Sequence, residues 1–137
     1  MTQYPFSAGI GDSVQGSALC ASDDFSARYD LDRIAGVFSR PEHQLYGESY
    51  VGRILVLNTA KGGVATSWML LDMVSRAMAP FALVMNSVNP IMVQGAAFAN
   101  LTLVHGFEVD ITSVIRSADK VFVDLANKCL TVEPISS

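Results

Sequence analysis

The sequence is poor in the residues from which most self-sufficient active sites are assembled. Among 137 residues there are two cysteines, two histidines and one tryptophan, and only 16% are charged, against an average near 25%. Cys20 and Cys129 lie far apart and neither stands in a Cys-x-x-Cys pair, so they read as buried thiols. His43 and His105 read as structural and leave no convincing metal-ligand set. Positive charge is thin too. Lys61, Lys120 and Lys128 are isolated, the arginines are scattered from Arg28 to Arg116, and the net charge is −4. That pattern argues against nucleic acid and anionic membranes as partners. Apolar runs stop far short of the roughly 18 residues of a membrane span. The opening Met1-Thr2-Gln3-Tyr4-Pro5-Phe6 lacks the basic and apolar regions of a signal peptide, so the expected compartment is the cytoplasm.

What is abundant is apolar: half of the residues are hydrophobic. A chain of this length is expected to be one domain, burying about 68% of its unfolded surface. So few charges imply more apolar surface than one small core hides, and burial against another polypeptide is the simplest outlet. Poor solubility of the isolated chain is expected.

Residues 1–12, with their glycines and serines, read as irregular, and 14–20 alternate as a strand. No period is sustained over 21–48, which reads as a long substrate-side loop region with short elements. From there the pattern sharpens into a βαβαβ core over 52–106. Ile54-Leu55-Val56-Leu57 is a continuous apolar run, typical of a strand covered on both faces. A helix over 65–78 follows; its polar residues Asp72, Ser75 and Arg76 share one narrow stripe, so its many large apolar residues cannot all face one sheet. After a strand at 81–85, Asn89 and Pro90 form an N-cap and first helical residue. The helix over 90–99 is thinned by Gly95, Ala96 and Ala97, which permits close backbone approach, and a third strand covers 101–104. Asp110 caps a short helix through Arg116, and 120–133 reads as a β-hairpin turning at Ala126-Asn127. These elements give an α/β fold, a mixed sheet with flanking helices.

Three motifs bear on chemistry. Lys61-Gly62-Gly63, between strand and helix, is not a phosphate-binding P-loop, because its lysine precedes the glycines. It is either a tight turn using glycine at positive φ or an anion cradle of backbone N–H groups and one lysine. Thr66 and Ser67, one turn later, are further hydroxyl donors or are satisfied locally. Second, Ser26-Ala27-Arg28 is a Ser-x-Arg pair suited to a carboxylate, or a plain piece of surface loop. Third, Asn58, Asn86, Asn89 and Asn100 sit near the ends of predicted elements, where capping and turn formation explain most of them.

The blocks Leu45-Tyr46-Gly47-Glu48-Ser49-Tyr50-Val51-Gly52-Arg53, Ala60-Lys61-Gly62-Gly63-Val64-Ala65-Thr66-Ser67-Trp68, Ala79-Pro80, Asn89-Pro90-Ile91 and Gln94-Gly95-Ala96 follow one another in order. In that order they resemble the swivelling domain of aconitase X, over nearly the whole chain. The resemblance implies a swivelling β/β/α fold, as a separate small subunit docked on a large catalytic aconitase X subunit. It implies that no cofactor is bound by this chain and that an iron–sulfur cluster or iron lies in the large subunit. One branch, the archaeal phosphomevalonate dehydratases, has a serine-rich stretch after its Lys-Gly, where this chain has Gly63-Val64-Ala65. That departure resembles the bacterial branch, which dehydrates cis-3-hydroxy-L-proline to Δ1-pyrroline-2-carboxylate.

By the same resemblance Ser26 and Arg28 are the expected catalytic residues, since aconitases bring a serine and an arginine from the swivelling domain to the substrate. Ser26 is the base or a carboxylate contact, and Arg28 the carboxylate ligand or orienter. Lys61, Gly62 and Gly63 are expected to line the cleft, with Thr66 and Ser67 as lesser substrate contacts. Two alternatives stand beside this reading: a small subunit for phosphomevalonate or another hydroxy acid, and a non-catalytic assembly subunit.

Overall fold

The computed structural model describes residues 1–61 and 63–134. Gly62, one of the expected cleft residues, lies outside them. The strands β1 (Thr2–Ile10), β2 (Val14–Cys20), β5 (Ile54–Thr59), β6 (Ala82–Ser87), β7 (Thr102–Phe107), β8 (Lys120–Asp124) and β9 (Cys129–Glu133) close into a barrel in the order β1-β7-β6-β5-β2-β8-β9. Strands β2, β5, β6 and β7 run parallel, while β1, β8 and β9 add antiparallel pairs. The short β3 (Leu31–Asp32) and β4 (Val37–Phe38) pair apart from the barrel. Helices α2 (Val64–Ser75) and α3 (Pro90–Ala99) are the parallel crossovers; α1 (Ala27–Asp30) and α4 (Ile111–Val114) are single turns. No helix among the described residues is long and apolar enough to cross a membrane.

The first four residues of β5 and of β6 are apolar because they are buried twice. Alternate residues point to opposite faces. Ile54 and Val56, Ala82 and Val84 therefore fill the barrel with Val121, Val123 and Leu130. Leu55 and Leu57, Leu83 and Met85 point outward onto Leu70 and Met73 of α2 and Met92 and Ala96 of α3. The crossovers lie close because α3 has no side chain where it meets α2. A Cβ at Gly95 would stand 2.7 Å from Ser67 Cα, and Ser67 Oγ bonds Ile91 O at 3.3 Å. Asn89 caps α3 by accepting from Met92 N, and Asn100 ends it in the left-handed region at φ 57°.

Two expectations are corrected. The opening residues, read as irregular, form the nine-residue strand β1. Its first half pairs with β9 and its second with β7, so it closes the barrel, and Phe6 is buried inside. Gly9 is part of that strand because a Cβ there would meet Val104 Cγ1 at 2.8 Å. The hairpin turn also differs. Asp124 pairs with Cys129, leaving four connecting residues, the last of them Lys128 at φ 51°.

Candidate functional site

The site begins where the segment before α1 crosses the carboxyl end of the parallel strand β5. Phe25 N donates to Thr59 O at 2.9 Å and Lys61 N to Phe25 O at 2.7 Å, so a backbone bridge pins residue 25 to the loop after β5. Ser26 is therefore set beside Gly63. Ser26 is the N-cap of α1, its Oγ accepting from Tyr29 N at 3.4 Å, while its own N–H donates to Asp30 Oδ2 at 2.8 Å. Asp30 is buried and accepts from Arg40 Nε at 2.5 Å. One carboxylate thus clamps both ends of the turn that carries Ser26 and Arg28.

Behind Asp30 stands His43. Its Nε2 bonds Asp24 O at 2.9 Å, its Nδ1 accepts from Leu45 N at 3.1 Å, and its ring packs on Phe38 at 4.6 Å. With Nδ1 accepting and Nε2 donating, the ring is the neutral Nε2–H tautomer and has no nitrogen left for substrate. Its structural role agrees with the expectation.

Across from α1 stands the N-terminus of α2. Gly63 is its N-cap, with no capping side chain and nothing within 4 Å of a Cβ built there. Its φ of −125° is not left-handed, so the positive-φ turn considered for this loop does not apply to Gly63. The two sides frame an open recess of about 340 Å³. Ser26, Arg28 and Tyr29 line one side, and Gly63, Val64, Ala65 and Thr66 the other. The Arg28 guanidinium lies 5.3 Å from the centre of the Tyr29 ring, and no salt bridge to it occurs among the described residues. An unpaired guanidinium, a hydroxyl and a side-chain-free helix N-terminus together favour an anion.

Four expected site residues, Ser26, Arg28, Gly63 and Thr66, meet in this recess. Thr66 is almost fully buried, its N–H held by Gly63 O at 3.1 Å. Lys61 turns aside: its Nζ pairs with Asp24 Oδ2 at 3.3 Å, and its side chain is 67% exposed. Ser67 faces α3 through its bond to Ile91 O and lines a different groove.

Asn58 and Asn86 are not simple end-caps. Asn58 Nδ2 donates to Asp24 Oδ1, Asn86 Nδ2 to Asn58 Oδ1 and Asp110 Oδ1, and Asn86 Oδ1 accepts from Ile111 N. This chain of bonds links Lys61 to α4 along the strand ends. Hydrogen bonds from Thr112 and then Asn86 hold the Asp110 carboxyl below its ordinary value. Sequence reasoning missed Asp24, Asp30 and Arg40 as supports of the site. The nearest local signal was Asp30, four residues after Ser26 and one beyond the spacing of a capping box.

No group of three or more His, Cys, Asp or Glu able to hold a metal occurs among the described residues. The Cys20 thiol, pushed up to about 11 by burial and then by Asp110 and Asp119, bonds Thr112 O.

A family profile described as the aconitase X swivel domain matches residues 5–132. The phosphomevalonate dehydratase small subunit of Methanopyrus kandleri is 30% identical over 112 residues, covering 82% of this chain and 83% of the relative. That of Methanothrix thermoacetophila is 32% identical over 94 residues, covering 69% of each chain. The crystal structure of Thermococcus kodakaraensis aconitase X superimposes with a TM-score of 0.88 at 22% identity, covering 96% of this chain and 98% of that one. A solution NMR structure of a UPF0107 protein gives 0.85 at 24% identity, with the same coverage. These two structures share the fold.

Proposed function

Since this chain belongs to the aconitase X swivel-domain family, we propose that it is the small subunit of a dehydratase and closes the recess of Ser26 and Arg28 over a hydroxy-acid substrate. The relatives named small subunits support the assembly with a large catalytic subunit. The observation that carries the site is the recess itself, in which Arg28 has no carboxylate partner among the described residues and Gly63 leaves the α2 N-terminus open.

In this reading Arg28 holds the substrate carboxylate, bidentately where the geometry allows, and the α2 N-terminus lies alongside the same charge. Ser26 Oγ already accepts from Tyr29 N, so its proton is free to donate to the carboxylate. Asp30 accepts from Ser26 N and Arg40 Nε, both His43 nitrogens are bonded elsewhere, and no hydrogen bond joins either group to Ser26 Oγ among the described residues. Ser26 is therefore assigned as a carboxylate contact, and the base that removes the substrate proton comes from the large subunit. No group of three or more His, Cys, Asp or Glu able to hold a metal lies among the described residues; an iron or iron–sulfur group is proposed for the partner.

The names of the relatives favour phosphomevalonate as substrate over cis-3-hydroxy-L-proline. The recess keeps the second reading in play: Val64 and Ala65 line it without a hydroxyl, and the lysine nearby is paired with Asp24. The test is loss of water from each compound, followed by mass spectrometry, with the purified two-subunit complex. Turnover of either one assigns the substrate. Turnover of neither, by a complex that forms, leaves another hydroxy acid or an assembly role.

A further inference from the structure

We infer that the large subunit docks on the apolar outer face of α2 and α3 and, by doing so, roofs the Ser26–Arg28 recess. The inference rests on the small-subunit reading and adds the surface through which it works. Between the two helices runs a groove of about 270 Å³. Val64, Trp68, Leu71, Ile91 and Phe98 supply its apolar walls. Trp68 is 68% exposed, Phe98 73% and Val64 64%. Large apolar side chains gathered in one exposed patch mark an interaction surface. The groove itself is uncharged; the first charges along α2 are Asp72 and Arg76, which pair with each other at 2.9 Å. Its occupant is accordingly apolar where it touches.

Continuity identifies that occupant. Val64 lines both the groove and the recess, so a body seated on the helices reaches the site. The recess, in turn, lacks half of what an elimination needs among the described residues. Asp30 is held by Ser26 N and Arg40, Asp24 by Lys61 and Asn58, and His43 by bonds at both ring nitrogens. A second copy of this chain seated on the groove would bring the same engaged groups. A large catalytic subunit brings the missing ones.

Trp68 is the only tryptophan, and it reports on the face directly. The chain is labelled with fluorotryptophan, and unlabelled dehydratase large subunit of the same organism is titrated in, with fluorine NMR and sedimentation as readouts. The Trp68 resonance is expected to shift and broaden to a stoichiometric end point. Trp68→Asp and Phe98→Asp should each raise Kd by about tenfold or more. Phe122→Asp, on β8 outside the groove, should leave Kd unchanged, and thermal melts check that all three variants fold. A complex whose Trp68 resonance does not move, variants that bind as tightly as wild type, or self-association of the chain through this face would each overturn the inference. Binding is read without turnover, so a complex that forms through this face but dehydrates nothing keeps the docking surface and removes the proposed activity.

Discussion

Asp30 offers the sharpest perturbation, because one buried carboxylate holds the turn that presents Ser26 and Arg28. Its side chain is 5% exposed and accepts from Ser26 N at 2.8 Å and Arg40 Nε at 2.5 Å. Asp30→Ala strands the buried Ser26 N–H, a loss of about 1–3 kcal/mol. Arg40 loses its best partner but is 34% exposed and still lies 3.9 Å from Asp23, so its share is small, about 1 kcal/mol after solvent screening. The sum is about 2–4 kcal/mol, or a fall in Tm of roughly 10 °C for a domain of this size. Urea unfolding of wild type, Asp30→Ala, Arg40→Ala and the double variant measures it. Because the two side chains touch, the cycle should show coupling of about 1 kcal/mol. A cost under about 0.5 kcal/mol, or strictly additive effects, would refute the clamp.

Other consequences follow from single contacts. Gly95→Leu must push α3 away from the α2 backbone, which lies 2.7 Å from a Cβ at that position; overpacking of this kind costs about 1–3 kcal/mol in thermal or urea unfolding, and an unchanged Tm would contradict the close approach. Asp110 has its folded pKa lowered, so its contribution to stability is complete above the ordinary value of 3.8 and is lost as pH falls through the lower folded value. The gap in Tm between wild type and Asp110→Ala should therefore shrink below that pH; a constant gap would refute the bonds from Thr112 and Asn86. The Cys20 thiol, raised to about 11, stays protonated at neutral pH, so in a Cys129→Ser background iodoacetamide should label the folded chain far more slowly than the urea-unfolded one.

What the sequence made legible was local. Ile54-Leu55-Val56-Leu57 announced a doubly covered strand because both of its faces are buried, and Asn89-Pro90 announced a helix start because the cap is made within four residues. The strand β1 escaped because Pro5, Ser7 and Gly9 blur its alternation and its partners in β7 and β9 lie about a hundred residues away. Barrel closure was hidden for the same reason. Within the site, Thr66 and Ser67 could not be told apart: α2 is apolar nearly all round, so its phase is set by packing, which turns Thr66 inward and Ser67 toward α3. Lys61 looked like a free cation because Asp24, its partner, lies in a stretch without a period. Ser26 and Arg28 were singled out through family resemblance; the carboxylate that clamps their turn was not.

The central claim is that Arg28 and Ser26 touch the substrate once the two subunits close. The measurement that tests it most directly is kcat/KM of the assembled complex, with the substrate it turns over, for wild type, Arg28→Ala and Ser26→Ala. Co-elution with the large subunit is checked for each variant. The account predicts intact assembly and a loss of about a hundredfold or more for Arg28→Ala, with a smaller fall for Ser26→Ala, the scale of a charged contact removed from the transition state. Near-normal kcat/KM in both variants, with assembly intact, would contradict it and leave the recess without a role in turnover.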